Sequence, residues 1–297
     1  MSNLESLYNK KVLILGSSLQ MLLLAYFLDN KGINVKLFDN SNNIGGAWKR
    51  FTFKKMKIRK QTNVIVPINN KEKVNQLKIN NFLKRNFDIK INKIKDDIIT
   101  PLKTKSKFSY NFDSFLKNVS KKKFLKKMTV KKIEIFKKKE IKINGKYLFD
   151  YVFIPTYFGI NNIFVENKII QIKNKIIKSE HVIALIKSNS FYNIHYSDFF
   201  NNFFDRVQFM KQGKFFTFSA RITKNNKGSN NLKILKELEK IFDRKKILNF
   251  KKFEYKNHFR NESQILKLNQ INQFKCIKHV NTQSLLSFLV LAIKYLK

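Results

Sequence analysis

Four of the chain's eight glycines lie within its first 46 residues, and Asp39 stands among them. Gly16 closes the apolar run "KVLIL", Asp39 follows 23 positions later at the end of "INVKLFD", and Gly45-Gly46 come six residues after that. A glycine leaving a buried strand lets the main chain turn tightly beside a phosphate, and the helix that follows offers its unpaired N–H groups to that anion. A carboxylate about 20 residues later accepts hydrogen bonds from a ribose. Types and spacing together point to dinucleotide binding, although taken singly Gly16 also suits an ordinary turn and Asp39 a strand-end cap. Two positions depart from the full pattern. Ser18 replaces the glycine that lets the backbone approach a pyrophosphate, and Met21 replaces the one that lets helix and strand pack closely. The Ser18 hydroxyl can donate to a phosphate, so its cost is small. Overpacking by Met21 costs about 1–3 kcal/mol unless the helix moves outward, and its flexible chain softens the penalty.

The elements that must hold these residues are readable around them. Lys11 to Leu15 predicts a buried strand, Ser18 to Asn30 a helix apolar nearly all round, Gly32 a left-handed helix cap, and "INVKLFD" a second strand. After Pro67 the pattern turns helical and polar to about residue 85, and "YNFDSFLKNVSKKKFLKK" predicts a further amphipathic segment. From Met128 apolar and polar residues alternate: "MTVKKIEIF", "EIKIN" and "KYLFDYVFIPT" predict three antiparallel strands, with a turn at Asn144-Gly145. "EHVIALIK", "SFYNIHY" and "KFFTFSARITK" predict a strand-rich middle. "NNLKILKELEKIFDRKK" predicts a helix capped by Asn230 or Asn231; the closing segment predicts a strand, a cap at Asn281 or Thr282, and a core helix. No repeat or linker divides the chain, so the two domains suggested by 297 residues are interwoven rather than in series.

The doublet adds a second signal. It is no part of the simple NAD fingerprint, and glycines kept where glycine is otherwise scarce mark backbone geometry that other residues disfavour. The segment "LFDNSNNIGGAWKRF" resembles the acid-then-doublet segment of FAD-binding flavoproteins of the amine oxidase, protoporphyrinogen oxidase and UDP-galactopyranose mutase superfamily. That resemblance implies a noncovalent FAD, contacted by the first turn (Gly16, Ser17, Ser18, Leu19), with Asp39 and Asn40 at the adenosine ribose. It further implies that Gly45, Gly46, Ala47 and Trp48 run beside the pyrophosphate and ribityl chain. "MTVKKIEIFKKKEIKINGKYLFDYVFIPTYFG" is similar to the meander that re-enters the FAD domain, where the backbone of Val130 would meet adenine. The closing strand and helix resemble the superfamily's last element, whose N-terminus would direct free N–H groups at the flavin. In place of the usual glycine-aspartate pair stands His279-Val280-Asn281-Thr282. The implied fold is α/β: a FAD/NAD(P)-binding Rossmann-type domain from residues 1–68, 125–160 and 272–297, with a second α+β substrate domain from 69–124 and 161–271. "IGGAWKRF" is also similar to flavin-containing monooxygenases, but those need a second glycine-rich unit for NADPH. The remaining Gly145, Gly159, Gly213 and Gly228 lie too far apart to form one.

Bulk composition narrows the partners. A net charge of +41 raises nucleic acid as a partner, yet only seven of the 61 basic residues are Arg, the side chain that makes bidentate contacts to phosphate and guanine. Lys, Asn, Ile and Phe are abundant while Pro, Gly and Ala are scarce, the signature of an AT-rich genome expressed on solvated surfaces. This argues against a nucleic-acid partner and permits weak association with anionic surfaces. The single Cys276 excludes an internal disulfide and the opening "MSNLESLYNKK" is polar, which together predict a cytoplasmic protein. The apolar run "SLLSFLVLAIKYL" is shorter than the ~20 residues of a bilayer span.

Beyond the cofactor the sequence is sparse. His181, His195, His258 and His279 are scattered, so no metal site is predicted. Arg206 and Arg221 are candidates to clamp a carboxylate or phosphate of a small-molecule substrate, with pairing to Asp205 as the structural alternative. In flavin chemistry the ring carries the reaction, so the lack of a catalytic triad is no objection. The reading reached is an FAD-dependent oxidoreductase, amine oxidase-like or mutase-like. Ser18 and Met21 leave open a non-catalytic descendant serving as a binding or scaffold protein.

Overall fold

The computed structural model describes residues 4–40, 44–45, 50–53, 56–59, 70–93, 97–99, 108–136, 140–156, 158–160, 162–166, 168–173, 175–187, 194–212, 215–259, 262–282 and 284–295. At its centre is a parallel sheet assembled from distant parts of the chain. Its strands are β1 (Val12–Leu15), β2 (Val35–Asp39), β3 (Leu125–Lys127), β4 (Tyr151–Pro155) and β5 (Ile277–Val280). They lie in the order β5-β4-β1-β2-β3. All neighbouring pairs are parallel.

Both faces of this sheet are covered, which explains why β1 and β4 are apolar without alternation. Val12, Ile14, Val35, Leu37, Tyr151 and Phe153 pack with helices α1 (Leu19–Asn30) and α2 (Leu285–Tyr295) and with the helix Asn70–Phe87. Leu13, Leu15, Phe38, Val152 and Ile154 face the other way, onto a second, five-stranded sheet. The helix α1 is enclosed on nearly every side, so it has no polar stripe. Its end is a Schellman cap: Gly32, at φ 77°, donates to Asp29 O, and Ile33 donates to Leu28 O.

The second sheet contains the predicted meander. Ile133–Ile135, Ile141–Ile143 and Tyr147–Phe149 pair antiparallel, and Asn144 and Gly145 both adopt positive φ at the turn, 52° and 67°. The predicted last strand is in fact two. At Asp150, whose carboxylate accepts the Lys11 N–H at 2.7 Å, the chain leaves the meander and enters the parallel sheet as β4 beside β1. Asn162–Val165 then pairs parallel with Ile133–Ile135, and Lys168–Gln171 closes the edge. A further correction concerns residues 110–127, predicted as one amphipathic segment, with the two residues before them. They form a strand, Phe108–Asn111, a short helix, Asp113–Val119, and β3.

A third layer is a six-stranded sheet whose long strands are Lys175–Lys187, Phe204–Gln212, Phe215–Ile222 and Ile247–Phe259. The helix Asn231–Glu239, capped by the Asn230 side chain on Lys233 N, buries Ile234 and Leu238 against one face of it.

Candidate dinucleotide cleft

The chain leaves β1 toward β2 on one side, while β4 and β5 lie on the other. Such a change of direction opens a crevice at the carboxyl ends of the strands. There the structure has a cleft of about 450 Å³. Gly16, Ser17, Ser18, Asp39, Asn40 and Val130 line it, six residues singled out from sequence alone. Leu19 does not: it is buried in the core beneath α1. Gly45 lies behind the turn, donating its N–H to Ser17 O at 3.1 Å. Gly46, Ala47 and Trp48 fall outside the described residues.

Gly16 has φ 82°, and a Cβ there would meet the Phe158 ring and Pro155 at 3.4 and 3.5 Å. Those are ordinary contact distances, so it is the conformation that calls for a bare backbone. Asp39, at the end of β2, accepts the Ser17 N–H on Oδ2 at 2.5 Å, and its own carbonyl accepts Met128 N–H at 2.8 Å. One residue therefore ties the glycine turn to the segment that carries Val130. The Asp39 carboxylate is oriented at the mouth of the turn by this main-chain donation.

Ser18 and Met21, the two departures from the glycine pattern, lie in different surroundings. Ser18 is the N-cap of α1, its hydroxyl accepting from Met21 N at 3.4 Å. Met21 is fully buried in the helix-side core and does not enter the cleft.

Six lining residues were missed: Met128, Thr129, Pro155, Phe158, Gly159 and Thr282. The available signal was position, since Pro155 and Gly159 follow directly on an apolar strand; only the pairing of β4 with β1 makes that position part of the cleft. Thr282 is held by a buried network. Its N–H donates to Thr156 Oγ1 at 3.1 Å, and its carbonyl accepts from Gln20 Nε2 at 3.1 Å. Thr156 Oγ1 also lies 3.1 Å from His279 Nε2, while His279 Nδ1 lies 2.7 Å from Asn269 Oδ1. His279 is therefore structural.

The cap expected at Asn281 or Thr282 is instead Ser284, whose Oγ accepts from Ser287 N at 3.2 Å. The buried carboxylate of Glu72 accepts the Ser284 hydroxyl at 2.8 Å and the Ser287 hydroxyl as well. Arg206 and Arg221 lie on the six-stranded sheet, outside the residues that line this cleft. Arg221 is paired with Asp205 through two bonds of 2.6 Å, the structural alternative foreseen for it. Among the described residues no group of three or more His, Cys, Asp or Glu could hold a metal, and no helix is long and apolar enough to cross a membrane.

The fold is of the Rossmann type, and residues 14–78 match the family model for the NAD(P)-binding Rossmann-like domain. No curated protein matches the chain. Among solved structures it is similar to cyclohexylamine oxidase from Brevibacterium oxydans, with TM-score 0.64 and 9% identity over 96% of this chain and 97% of that one. It is also similar to putrescine oxidase bound to putrescine, with TM-score 0.62 and 7% identity over 96% and 97%. A CLA-producing fatty acid isomerase from P. acnes gives TM-score 0.53 and 6% identity over 97% and 99%. The chain thus shares its fold with these oxidases.

Proposed function

We propose that this chain is an FAD-dependent oxidoreductase acting on a small molecule. The observation that carries the reading is the meeting of the Gly16 turn, the Asp39 carboxylate and the Met128–Val130 backbone in one cleft at the end of the parallel sheet. The adenosine diphosphate half of FAD suits these residues. The turn is bare main chain, Ser17 and Ser18 begin a helix that attracts phosphate, and Asp39 accepts from a ribose. The Val130 main chain is then the edge that adenine meets, and Gly45-Gly46-Ala47-Trp48 follow the ribityl chain. Bound FAD would supply electron or hydride transfer at its isoalloxazine ring. The chain's part is to bind, orient and exclude water. In this reading residues 1–68, 125–160 and 272–297 carry the cofactor, and 69–124 with 161–271 carry the substrate.

The test is direct. Purified protein should carry a flavin absorption spectrum or acquire one on titration with FAD, with a rise in melting temperature. No spectrum and no thermal shift at saturating FAD would end the assignment.

A further inference from the structure

The helix Asn70–Phe87 turns one side inward, where Glu72, Gln76, Ile79, Leu83 and Phe87 are buried. At 3.6 residues per turn these recur along a single stripe. The opposite side carries a different pattern. Val74 and Leu77 are neighbours there, one turn apart, and are 78% and 69% exposed. By the same helical spacing Lys84 flanks the pair on one side and Lys71, Lys78 and Arg85 on the other, all four exposed. No acid balances these cations from within the helix, because its one acidic residue, Glu72, is buried and accepts from Ser284 and Ser287. The adjoining helix α2 adds a third exposed apolar side chain: Leu291, 42% exposed, follows Ser287 by one turn.

A lone exposed leucine needs no explanation. An exposed valine and leucine side by side, flanked by four cations, make a face with two requirements, anions around its margin and an apolar medium at its centre. A bilayer with acidic headgroups has that layering. Nucleic acid supplies the anions and leaves Val74 and Leu77 in water. A second copy of the chain supplies apolar side chains, but it brings the same cations and a net charge of +41, which repel.

We propose that the outer face of the helix Asn70–Phe87 docks the protein on an anionic membrane surface. Val74 and Leu77 enter the boundary between headgroups and acyl chains, and Lys71, Lys78, Lys84 and Arg85 meet the acidic headgroups. The helix lies along the surface, since its inner side is joined to the rest of the protein. The inference does not rest on the flavoprotein reading.

Co-sedimentation of the full chain with phosphatidylcholine vesicles carrying about 30 mol% phosphatidylserine, at ~0.15 M salt, tests it. The chain is expected to partition onto these vesicles and not onto pure phosphatidylcholine. The double variant Val74→Ser/Leu77→Ser keeps every charge, so it separates insertion from general attraction. It should partition about 10-fold more weakly at unchanged melting temperature. Leu232→Ser, at an exposed leucine on the helix Asn231–Glu239, should change nothing. Failure of the native chain to bind, or equal binding by the double variant, would overturn the inference; the second result would reduce the association to overall charge. A native dimer in solution that the double variant loses would overturn it as well, because the face would then belong to a second copy. Each of these outcomes leaves the flavin titration unaffected, so the two readings fail separately.

Discussion

The turn at Gly16 is tied to Asp39 by the 2.5 Å donation from Ser17 N–H to Asp39 Oδ2. Gly16→Ala places a side chain at φ 82° against Phe158 and Pro155, so it should cost about 1–2 kcal/mol in urea unfolding. The same variant should weaken FAD binding by a larger factor than its stability loss explains, because the displaced turn carries the phosphate donors. His181 gives a residue-scale pH dependence. Its imidazole titrates near 4 in the folded chain against an ordinary 6.5, so between those values the unfolded chain binds the proton more readily. Stability from this residue is full above pH 6.5 and declines as pH falls toward 4. Melting curves across that window should show a steeper loss for the native chain than for His181→Gln, and parallel losses would contradict the burial argument.

Among the elements, Glu72 links the helix Asn70–Phe87 to α2, accepting both Ser284 and Ser287 hydroxyls while itself fully buried. Glu72→Ala removes the acceptor for two hydroxyls and should cost about 2–3 kcal/mol, read as a lower urea midpoint; Glu72→Gln should cost less. The strand, turn and helix from Val12 to Asn30, the Gly32 cap and the Asn144-Gly145 turn were all legible in the sequence. Each depends on neighbours within a few residues. The division of "KYLFDYVFIPT" at Asp150 was not, because the break serves a bond to Lys11, 139 residues away. The same holds for β3, an amphipathic stretch that becomes a strand only because β2 offers it an edge.

At the scale of the molecule, a net charge of +41 creates a field that draws anions, FAD included, toward the cleft. Stopped-flow association of FAD should slow by about 10-fold between ~0.02 M and ~0.5 M salt while the dissociation rate changes little. A rate independent of salt would mean that the lysines lie where their field does not reach the cleft. The same field bears on substrates, favouring acids over amines.

What could be read from the chain alone is what short-range chemistry dictates: a glycine turn after a buried strand, an acid 23 residues on, a capped helix and a type I′ hairpin. From these the Rossmann-type unit and six residues of its cleft followed. Pairing across long sequence separations settled the remainder. It set β4 beside β1, so that Pro155, Phe158 and Gly159 complete the cleft. It also gave Arg221 to Asp205. Register between distant strands depends on how all the layers bury their apolar faces together, and no local pattern of residues encodes that.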